Sequence, residues 1–361
     1  MLKPIGALIL SGLAAMGAAG TSVGGADLPP PPVIAPADGR LTVMTYNIKG
    51  LPWPVASGRA EAIAAIGTRL AALRRDGRQP HILLLQEAFT QDATSIAARA
   101  GYAHAAYGPA ATEASAASGG ASDRRHVAQA RWDRGEGVGK QLGSGLIILS
   151  DYPIVRIDRM DYPDFACAGF DCLANKGVLI AHLRVPGFAR PVAVVNTHLN
   201  ARKAAGVAVA RSNHAFARQV ALMAGFVRAQ VSERQAVVVG GDMNIGGDPE
   251  RAGAFFGGFA QARLDFVQPK LGGARLAMGQ PSCAGADRME LARSTERAKD
   301  WLFARGADRA PLAVAGASVP FGMAAGAALS DHAGYMIDYG PGTHGPRPAR
   351  FAGRRETGAA L

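Results

Sequence analysis

Several apolar segments of the chain end in polar side chains of types that take part in catalysis. Glu87 follows the apolar run of "HILLLQEAF", and Asp242 and Asn244 close "VVVGGDMN". Burying an unpaired carboxylate is costly, so a carboxylate at the end of a buried strand needs a partner. Hard cations such as Mg²⁺ prefer one or two carboxylates together with substrate phosphate and water. The pattern therefore predicts a divalent metal next to a phosphate.

Two histidines follow the same pattern. His332 stands beside Asp331 in "LSDHAGYMI", and His198 closes "VVNTHLN" on the same strand face as Asn196. An imidazole that titrates near neutral pH suits proton transfer from an attacking water. Asp300, in "KDWLF", is the carboxylate that we expect to orient His332, as a third group beside a base usually does.

Each of these residues also has an ordinary structural interpretation. Glu87 fits a helix cap, Asp242 and Asn244 fit an Asx turn, and a lone histidine such as His198 is often a core residue. In an extended strand, however, Asp242 and Asn244 point the same way. Acids, amides and histidines at five strand ends, including Asn47, predict one shared site at the edge of a sheet.

The elements that must position these residues follow from the periodicity of the sequence. Apolar runs and alternation predict strands over residues 41–48, 81–89, 145–155, 177–185, 191–199, 235–244, 299–305 and 331–339. Helical spacing predicts helices over residues 59–75 and 210–230. Residues 108–129 are low in complexity and predict a long mobile loop. Many strands with a few helices favour an α/β sandwich.

The two ends of the chain differ from its middle. Residues 1–26 have a basic start, an apolar run and small residues, which is the layout of a secretory signal peptide. Residues 27–40 form a proline-rich linker, and residues 340–361 form a basic tail that we expect to be disordered. No cysteine directly follows the apolar run to take a lipid, so we expect a soluble secreted or periplasmic protein.

The charge of the chain narrows the class of partner only slightly. A net charge of +11 and a pI near 10.0 fit nucleic acid, an acidic membrane surface or a phosphorylated substrate. The basic residues are dispersed, apart from the tail, rather than gathered in one stripe.

The three cysteines fit an exported protein. Cys167 and Cys172 are expected to close a small disulfide loop, which leaves Cys283 unpaired; the alternative is three free thiols. A zinc site is not expected, because no histidine pair accompanies these cysteines at a useful spacing.

The set of motifs resembles the endonuclease/exonuclease/phosphatase superfamily, which includes pancreatic-type deoxyribonucleases, apurinic endonucleases, inositol-phosphate phosphatases and neutral sphingomyelinases. The resemblance runs from about Leu41 to about Tyr339. The motifs that carry it are, in chain order, "TYNIKGLP", "LLLQEAF", "GLIILSDYPI", "VVNTHLNA", "GGDMN", "KDWLF" and "SDH". It implies one catalytic domain over residues 41–339. The implied fold is a four-layer α/β sandwich of two packed, mostly antiparallel sheets with flanking helices.

The resemblance also implies a metal site. Glu87 resembles the principal Mg²⁺ ligand, and Asn47 and Asp331 resemble its neighbours in the metal and phosphate pocket. Other divalent cations, such as Mn²⁺ or Co²⁺, are alternatives for the same site.

The remaining matched residues resemble the catalytic groups. His198 resembles a donor that stabilises charge on the phosphoryl group, and Asp242 and Asn244 resemble the pair that positions the attacking water. His332 resembles the general base, with Asp300 as its orienting partner. Members of the superfamily differ in whether the residue matching Asp242 or the one matching His332 takes the proton, and both assignments stay open here.

One segment resembles neutral sphingomyelinases in particular. Residues 165–183, "FACAGFDCLANKGVLIAHL", carry an Asp and then Lys-Gly five residues later, leading into a strand. The resemblance implies that Lys176 approaches the scissile phosphate and that Asp171 holds a nearby loop; the alternative is a surface ion pair. Asn200 stands where relatives often carry glutamine, which implies altered contacts with the substrate head group.

The chain departs from secreted sphingomyelinases in the segment before "SDH". Relatives present an aromatic hairpin there that wedges into the membrane, whereas this chain has only Phe321 and Met323 as bulky groups. We therefore expect only weak peripheral membrane contact. Trp53 is expected to be packed, with an interfacial contact as the alternative.

Three functions remain from these observations. The first is an exported, Mg²⁺-dependent phosphodiesterase that acts on a phospholipid head-group ester, with sphingomyelin cleaved to ceramide and phosphocholine, as a monomer. The second is an extracellular nuclease of the same superfamily, which the basic charge favours. The third is a non-catalytic surface-binding module, which the presence of Glu87 and His332 disfavours.

Overall fold

The helices and strands follow the apolar patterning of the sequence. The computed structural model describes residues 40–324, 326 and 328–341. Its strands are β1 (Leu41–Asn47), β2 (Ile82–Gln86), β3 (His104–Tyr107), β4 (Ile147–Ser150), β5 (Ile154–Asp161), β6 (Gly177–Leu183), β7 (Val192–His198), β8 (Val237–Asp242), β9 (Asp300–Arg305), β10 (Leu312–Phe321) and β11 (Gly334–Pro341). Its helices are α1 (Arg59–Arg75), α2 (Gln91–Ala100), α3 (Ala121–Ala128), α4 (Val209–Gln230), α5 (Pro249–Gln261), α6 (Gly273–Met278) and α7 (Gly285–Arg297).

The strands form two sheets that pack face to face. The six-stranded sheet has the order β10-β11-β1-β2-β4-β3, and the five-stranded sheet has the order β5-β6-β7-β8-β9. In the described part of the chain, β1–β2 and β7–β8 are the parallel pairs, and the other neighbouring strands run antiparallel. The sheets are therefore mostly antiparallel, as predicted.

Both faces of each sheet are covered, which explains the nearly continuous apolar strands. Successive side chains of a strand point to opposite faces, so Leu84 packs in the core between the sheets while Leu83 packs beneath α1 and α2. On the five-stranded sheet, Val195 packs against Phe216 of α4 and Phe255 of α5. Helix, sheet, sheet and helix make four layers, and the predicted α/β sandwich is confirmed.

The strand pairing brings the polar strand ends to one edge of the sandwich. Asn47 and Gln86 are register partners at the carboxyl ends of the parallel strands β1 and β2. His198 pairs with Asp242 across β7–β8, and Asp242 pairs with Asp300 across β8–β9. Because β9 runs antiparallel to β8, its first residue lies beside the last residue of β8. The edge site expected from the sequence is therefore formed.

Asn196 joins the two sheets just beneath this edge. Its side-chain amide donates to the backbone oxygens of Leu85 at 2.9 Å and Ile147 at 3.0 Å, and its Oδ1 accepts from Gln86 Nε2 at 2.8 Å. Asn196 and Gln86 are both fully buried. Each polar atom replaces a lost water contact with a cross-sheet hydrogen bond, which fixes the relative position of the two sheets.

The single strand predicted over residues 145–155 is wrong. The chain forms β4 in the six-stranded sheet and β5 in the five-stranded sheet, with a turn at residues 151–153. Ser150 Oγ accepts from Tyr152 N and donates to Tyr152 O, both at 2.9 Å. This local turn, which includes Pro153, ends one strand and directs the chain to the other sheet.

The structure also corrects the long loop predicted over residues 108–129, because α3 lies within it. His126 of α3 has its Nε2 2.8 Å from Cys167 O, and Arg211 Nη2 of α4 donates to His126 O at 2.9 Å. Helix α3 consists mostly of alanine and polar residues, so its sequence has no apolar stripe that would predict a helix. Contacts with other segments stabilise it instead.

The predicted terminal segments lie almost entirely outside the described residues. The signal peptide (1–26), most of the linker (27–40) and most of the basic tail (340–361) are in this group, although Gly340 and Pro341 belong to β11. Among the described helices, none is long and apolar enough to span a membrane.

Candidate active site

Two carboxylates meet across the edge of the sandwich and share one amide. Asn47 Nδ2 donates to Glu87 Oε1 at 2.9 Å and to Asp242 Oδ2 at 3.0 Å. Asn47 Oδ1 accepts from Lys49 N at 3.0 Å, which turns the amide nitrogen toward the carboxylates. Glu87 has a left-handed backbone with φ of 54°. Such strain in a non-glycine residue is typical of functional sites.

This arrangement fits a divalent cation. One ligand atom each from Glu87, His198 and Asp242 lies within 4.8 Å of the others. Burial raises the pKa of Glu87, and the charge of Asp242 adds to this effect. A cation between the two carboxylates would offset both the burial of Glu87 and its repulsion by Asp242. The carboxylate oxygens are the donors that Mg²⁺ prefers.

Asp331 lies at the margin of this site. Its carboxylate is 3.6 Å from Lys49 Nζ, and 56% of its side chain is exposed. It belongs to neither of the two clusters of three close metal-ligand side chains found among the described residues. Its place near the metal or its water shell stays a prediction.

His332 is held by Asp300 and faces Asp242. His332 Nδ1 lies 2.9 and 2.8 Å from the two carboxylate oxygens of Asp300, and its Nε2 lies 3.7 Å from Asp242 Oδ2. Burial would lower the pKa of His332, but the charges of Asp300 and Asp242 outweigh it and raise this pKa to about 9. For Asp242, burial is outweighed by His332 and His198, which lower its pKa to about 2. Asp300 is therefore in contact with the imidazole that it was expected to orient, and its role in catalysis stays a prediction.

Lys176 is buried against the same pocket. Its side chain is 5% exposed, and its Nζ lies 3.0 Å from Asp171 Oδ2 and 3.2 Å from His198 Nε2. Burial and the charge of Lys176 lower the pKa of His198 to about 3, so that imidazole is neutral. Its Nδ1 is buried without a hydrogen-bond partner among the described residues. The alternative of a surface ion pair is wrong.

The loop that carries Asp171 is closed by the predicted disulfide. Cys167 and Cys172 are bonded, and Cys283 is a free, buried thiol. Asp171 accepts a hydrogen bond from the backbone N–H of Ala201, in the segment that follows β7. Asp171 thus holds both Lys176 and the chain beyond His198, which agrees with its predicted role in holding a loop.

The two asparagines beyond the strand ends make internal contacts. Asn244 has φ of 47°, so the extended backbone assumed from its spacing to Asp242 is wrong. Asn244 N donates to Asp242 Oδ1 at 3.1 Å in an Asx turn, and its Nδ2 donates to Leu199 O at 3.0 Å. Asn200 is fully buried, with Oδ1 accepting from Ala168 N at 3.0 Å. Substrate contacts by both asparagines stay predictions.

Two residues that the sequence interpretation missed hold the loops beside Asn47. Ser330 Oγ donates to Asn47 O at 2.7 Å. Arg59 Nη2 donates to Ile48 O and Leu329 O, both at 2.7 Å. Ser330 could have been found from the sequence, because it belongs to the "SDH" motif. Arg59 could not, because an arginine at the first position of a helix is usually exposed to solvent.

Phe321 and Trp53 are the two aromatic residues for which the sequence raised the question of membrane contact. Phe321 is 3% exposed and stacks on Tyr46 with ring centroids 4.8 Å apart, so it is not an exposed wedge. Trp53 is 83% exposed, and the packed position expected for it is wrong.

Comparisons with known proteins agree with this geometry. The sequence profile described as the Endonuclease/Exonuclease/phosphatase family matches residues 44–332. No individually curated protein sequence matches the chain significantly.

Solved structures with the same fold include sphingomyelinase C from Streptomyces griseocarneus, with 18% identity, a TM-score of 0.54, and coverage of 83% of this chain and 99% of that one. A mutant beta toxin from Staphylococcus aureus, solved with bound magnesium ions, has 16% identity, a TM-score of 0.54 and the same coverage, 83% and 99%. An endonuclease/exonuclease/phosphatase from Beutenbergia cavernae has 20% identity and a TM-score of 0.50, covering 84% of this chain and 72% of that one. Likeness at these identities shows a common fold. Because the family profile spans most of the sequence and ends on His332, the chain belongs to the Endonuclease/Exonuclease/phosphatase family.

Proposed function

We propose that the protein is an exported, Mg²⁺-dependent phosphodiesterase that hydrolyses a phospholipid head-group ester, with sphingomyelin as its substrate and ceramide and phosphocholine as products. The observation that carries the proposal is the buried ammonium of Lys176, which lies 3.2 Å from His198 Nε2, while the same nitrogen lies 3.5 Å from Asp242 Oδ2. A buried cation beside a neutral imidazole suits a phosphodiester with one negative charge.

The metal would be held by Glu87 and Asp242, which Asn47 keeps side by side. When bound, Mg²⁺ supplies positive charge that polarises a phosphoryl oxygen and favours deprotonation of water. On the other side of the pocket, the Lys176 ammonium provides N–H donors for the charge that develops on the phosphoryl oxygens, and neutral His198 accepts from that ammonium. Fixed donors in a buried site need no reorganisation as that charge develops, which is the main reason such a site accelerates the reaction.

Proton transfer falls to the pair formed by Asp242 and His332. Asp300 holds Nδ1 of His332, so Nε2 faces Asp242 Oδ2 at 3.7 Å. In the proposed reaction, water attacks phosphorus and gives a proton to this pair, which later releases it to solvent. The bond from phosphorus to the lipid oxygen breaks, and that oxygen takes up a proton from solvent and leaves as the alcohol. With the pKa of His332 raised to about 9 and that of Asp242 lowered to about 2, the pair takes the proton on Asp242 at neutral pH. Removing Asp242 would remove the acceptor, and removing His332 would remove the cation that keeps Asp242 ionised.

Weak membrane contact forms part of the proposal. Phe321 is stacked on Tyr46, so it does not form an aromatic wedge in the described part of the hairpin position. Trp53 is exposed in the segment that follows β1, and its indole suits the interface of a membrane. Export and a monomeric state are proposed on the sequence of the first 26 residues and the single domain.

An extracellular nuclease is the second candidate, and the net charge of +11 favours it. The metal and proton-transfer residues would serve either substrate. Lys176 and Asp171 distinguish the two, because they form a compact buried pair rather than an exposed basic track.

The catalytic machinery is tested first on a phosphocholine ester with purified protein that lacks residues 1–26. We expect Mg²⁺-dependent release of phosphocholine that EDTA stops and that His332→Ala reduces by at least about 100-fold. Equal turnover in EDTA, or in the His332→Ala variant, would refute the proposed mechanism.

A further inference from the structure

Arg251 is a buried arginine behind the candidate site that none of the roles described above includes. It is the third residue of α5, and its exposed fraction is 0%. Burial lowers the pKa of its guanidinium to about 10. A guanidinium has five N–H donors and is stable inside a protein only when they are satisfied. Its partners therefore show what the residue is doing there.

The guanidinium binds the backbone of two separate site segments. Arg251 Nη1 donates to Asn200 O at 2.7 Å and to Asn244 O at 2.9 Å, and Nη2 donates to Ala201 O at 3.3 Å. Asn200 lies two residues beyond His198 at the end of β7, and Asn244 lies two residues beyond Asp242 at the end of β8. One side chain thus ties together the chain segments that carry His198, which contacts Lys176, and Asp242, the proposed proton acceptor.

Helix α4 fixes Arg251 in place from behind. Arg251 Nε donates to Asn213 Oδ1 at 2.7 Å, and the guanidinium carbon lies 4.5 Å from the ring centroid of Phe216. The planar guanidinium stacks on the ring while its edges reach in two directions. A lysine ammonium is a point donor on a flexible stem and cannot reproduce this geometry.

We propose that Arg251 is a positioning residue that sets the distance between His198 and Asp242 in the active site. The kinetic test of this inference rests on the proposed function, because it measures turnover of the proposed substrate. The separation of 3.5 Å between His198 Nε2 and Asp242 Oδ2 depends on the relative position of the ends of β7 and β8. The guanidinium joins the backbone just beyond both ends, so its loss lets the two segments move apart without removing any group that contacts the substrate.

The chain offers a closely matched control in Arg305. Arg305 is 7% exposed, and its Nη1 donates to three backbone oxygens, those of Glu233, Gln235 and Gly306, at 3.0, 3.2 and 3.0 Å. It also lies over an aromatic ring, that of Phe266, at 5.4 Å. Arg305 pairs with Val237, the first residue of β8, so it supports the opposite end of the strand that carries Asp242. Both arginines are buried, donate to backbone carbonyl groups and lie over an aromatic ring. They differ in that Arg305 lies at the end of β8 that is far from the site.

The experiment compares Arg251→Lys, Arg251→Met and Arg305→Met in the full mature chain. We expect Arg251→Met to lower kcat by about 100-fold, because a small displacement of reacting groups has effects of this size. KM should change by less than about threefold, because no substrate contact is lost. Arg251→Lys should fall between the wild type and Arg251→Met, and Arg305→Met should lower the melting temperature while kcat stays near the wild-type value. A wild-type kcat in Arg251→Met, or an equal loss of kcat in Arg305→Met, would overturn the proposal.

A second readout does not depend on turnover. The ring NMR signals of His198, assigned with a His198→Gln variant, should shift in Arg251→Lys and stay in place in Arg305→Met. Asn213→Ala removes the 2.7 Å contact to Arg251 Nε together with the hydrogen bonds from Asn213 Nδ2 to Glu250 and Asp248. It keeps the Arg251 contacts to the site backbone, so it should give a smaller shift in the same direction, and it serves if Arg251→Met does not fold. If the wild type hydrolyses no phosphodiester, the proposed function fails and the His198 signals alone decide the role of Arg251. Unchanged His198 signals in both Arg251→Lys and Asn213→Ala would refute that role.

Discussion

Lys176 Nζ lies 3.2 Å from His198 Nε2, in a pocket where both side chains are 5% exposed. Asp171 stands 3.0 Å from the same ammonium and balances its charge. A charge buried in this way is costly unless it is paired. The pairing explains how the ammonium stays inside the protein, and its contact with His198 places it at the site where we propose that the phosphate binds.

Replacing Lys176 with alanine should affect turnover far more than stability. We expect Lys176→Ala to reduce kcat/KM by about 100-fold or more, because it removes a charged donor aimed at the phosphoryl group. Arg309→Ala, which removes one positive charge from an exposed ion pair with Glu233, is the control and should leave kcat/KM near the wild-type value. Steady-state kinetics on a phosphocholine ester measure both. Equal rates in Lys176→Ala and Arg309→Ala would remove Lys176 from the catalytic site.

Glu87 should control the effect of Mg²⁺ on stability. Burial raises its pKa, so ionised Glu87 destabilises the metal-free fold at neutral pH, and a bound cation offsets this. We expect Mg²⁺ at about 100 times its dissociation constant to stabilise the wild type by about 2.7 kcal/mol. Glu87→Gln should lose that gain and should not be less stable than the wild type without metal. The exposed Glu233→Gln variant has the same charge change and should keep the response; a full Mg²⁺ response in Glu87→Gln would exclude Glu87 as a ligand.

The sequence predicted the layers of the fold and the edge on which the site lies. Strands β2 and β8 are largely apolar. β2 ends directly before Glu87, and β8 ends on Asp242. Acidic and histidine side chains at these ends could be identified because few other roles justify them at such positions. The structure supplied the strand pairing, in which His198 lies beside Asp242 across β7–β8 and Asp242 lies beside Asp300 across β8–β9.

Other features depend on contacts that no local pattern encodes. The break between β4 and β5 depends on a serine hydroxyl that binds the backbone of Tyr152. The left-handed turn at Asn244 and the burial of Arg251 depend on carbonyl groups from segments distant in sequence. An arginine in the first turn of a helix reads as a surface residue, and only the assembled fold shows its partners.

The disulfide should support activity through Asp171, which it encloses. By chain entropy, removing the bond between Cys167 and Cys172 should cost about 2 kcal/mol for so short a loop. We expect the Cys167→Ser/Cys172→Ser variant to lower kcat/KM as well, since Asp171 then holds Lys176 less firmly. Cys283→Ser is the control, because that thiol is free and buried, and it should keep the sensitivity of the wild type to a reducing agent. A double variant with wild-type kinetics would separate the disulfide from the site.

Acid should weaken the packing of α3 through His126. Burial lowers the pKa of His126, and the charges of Arg211 and His214 add to this effect, while the hydrogen bond to Cys167 O and the charge of Glu136 oppose it. The unfolded chain therefore binds this proton more readily than the folded chain, so the contribution is fully present above about pH 6.5 and is lost as the pH falls below it. His126→Gln keeps an N–H donor for Cys167 O and should flatten the pH dependence of the unfolding free energy between about pH 7 and pH 5. Urea unfolding at several pH values measures the slope, and identical slopes in the two proteins would contradict the prediction.

The choice between a lipid and a nucleic-acid substrate is the central question, and one measurement addresses it directly. The purified mature chain is given sphingomyelin vesicles and plasmid DNA in parallel, at the same Mg²⁺ concentration and ionic strength, with His332→Ala and EDTA as controls. The proposed function predicts release of phosphocholine that both controls abolish, together with intact plasmid. Rapid cleavage of the plasmid without any release of phosphocholine would contradict it and identify the protein as a nuclease.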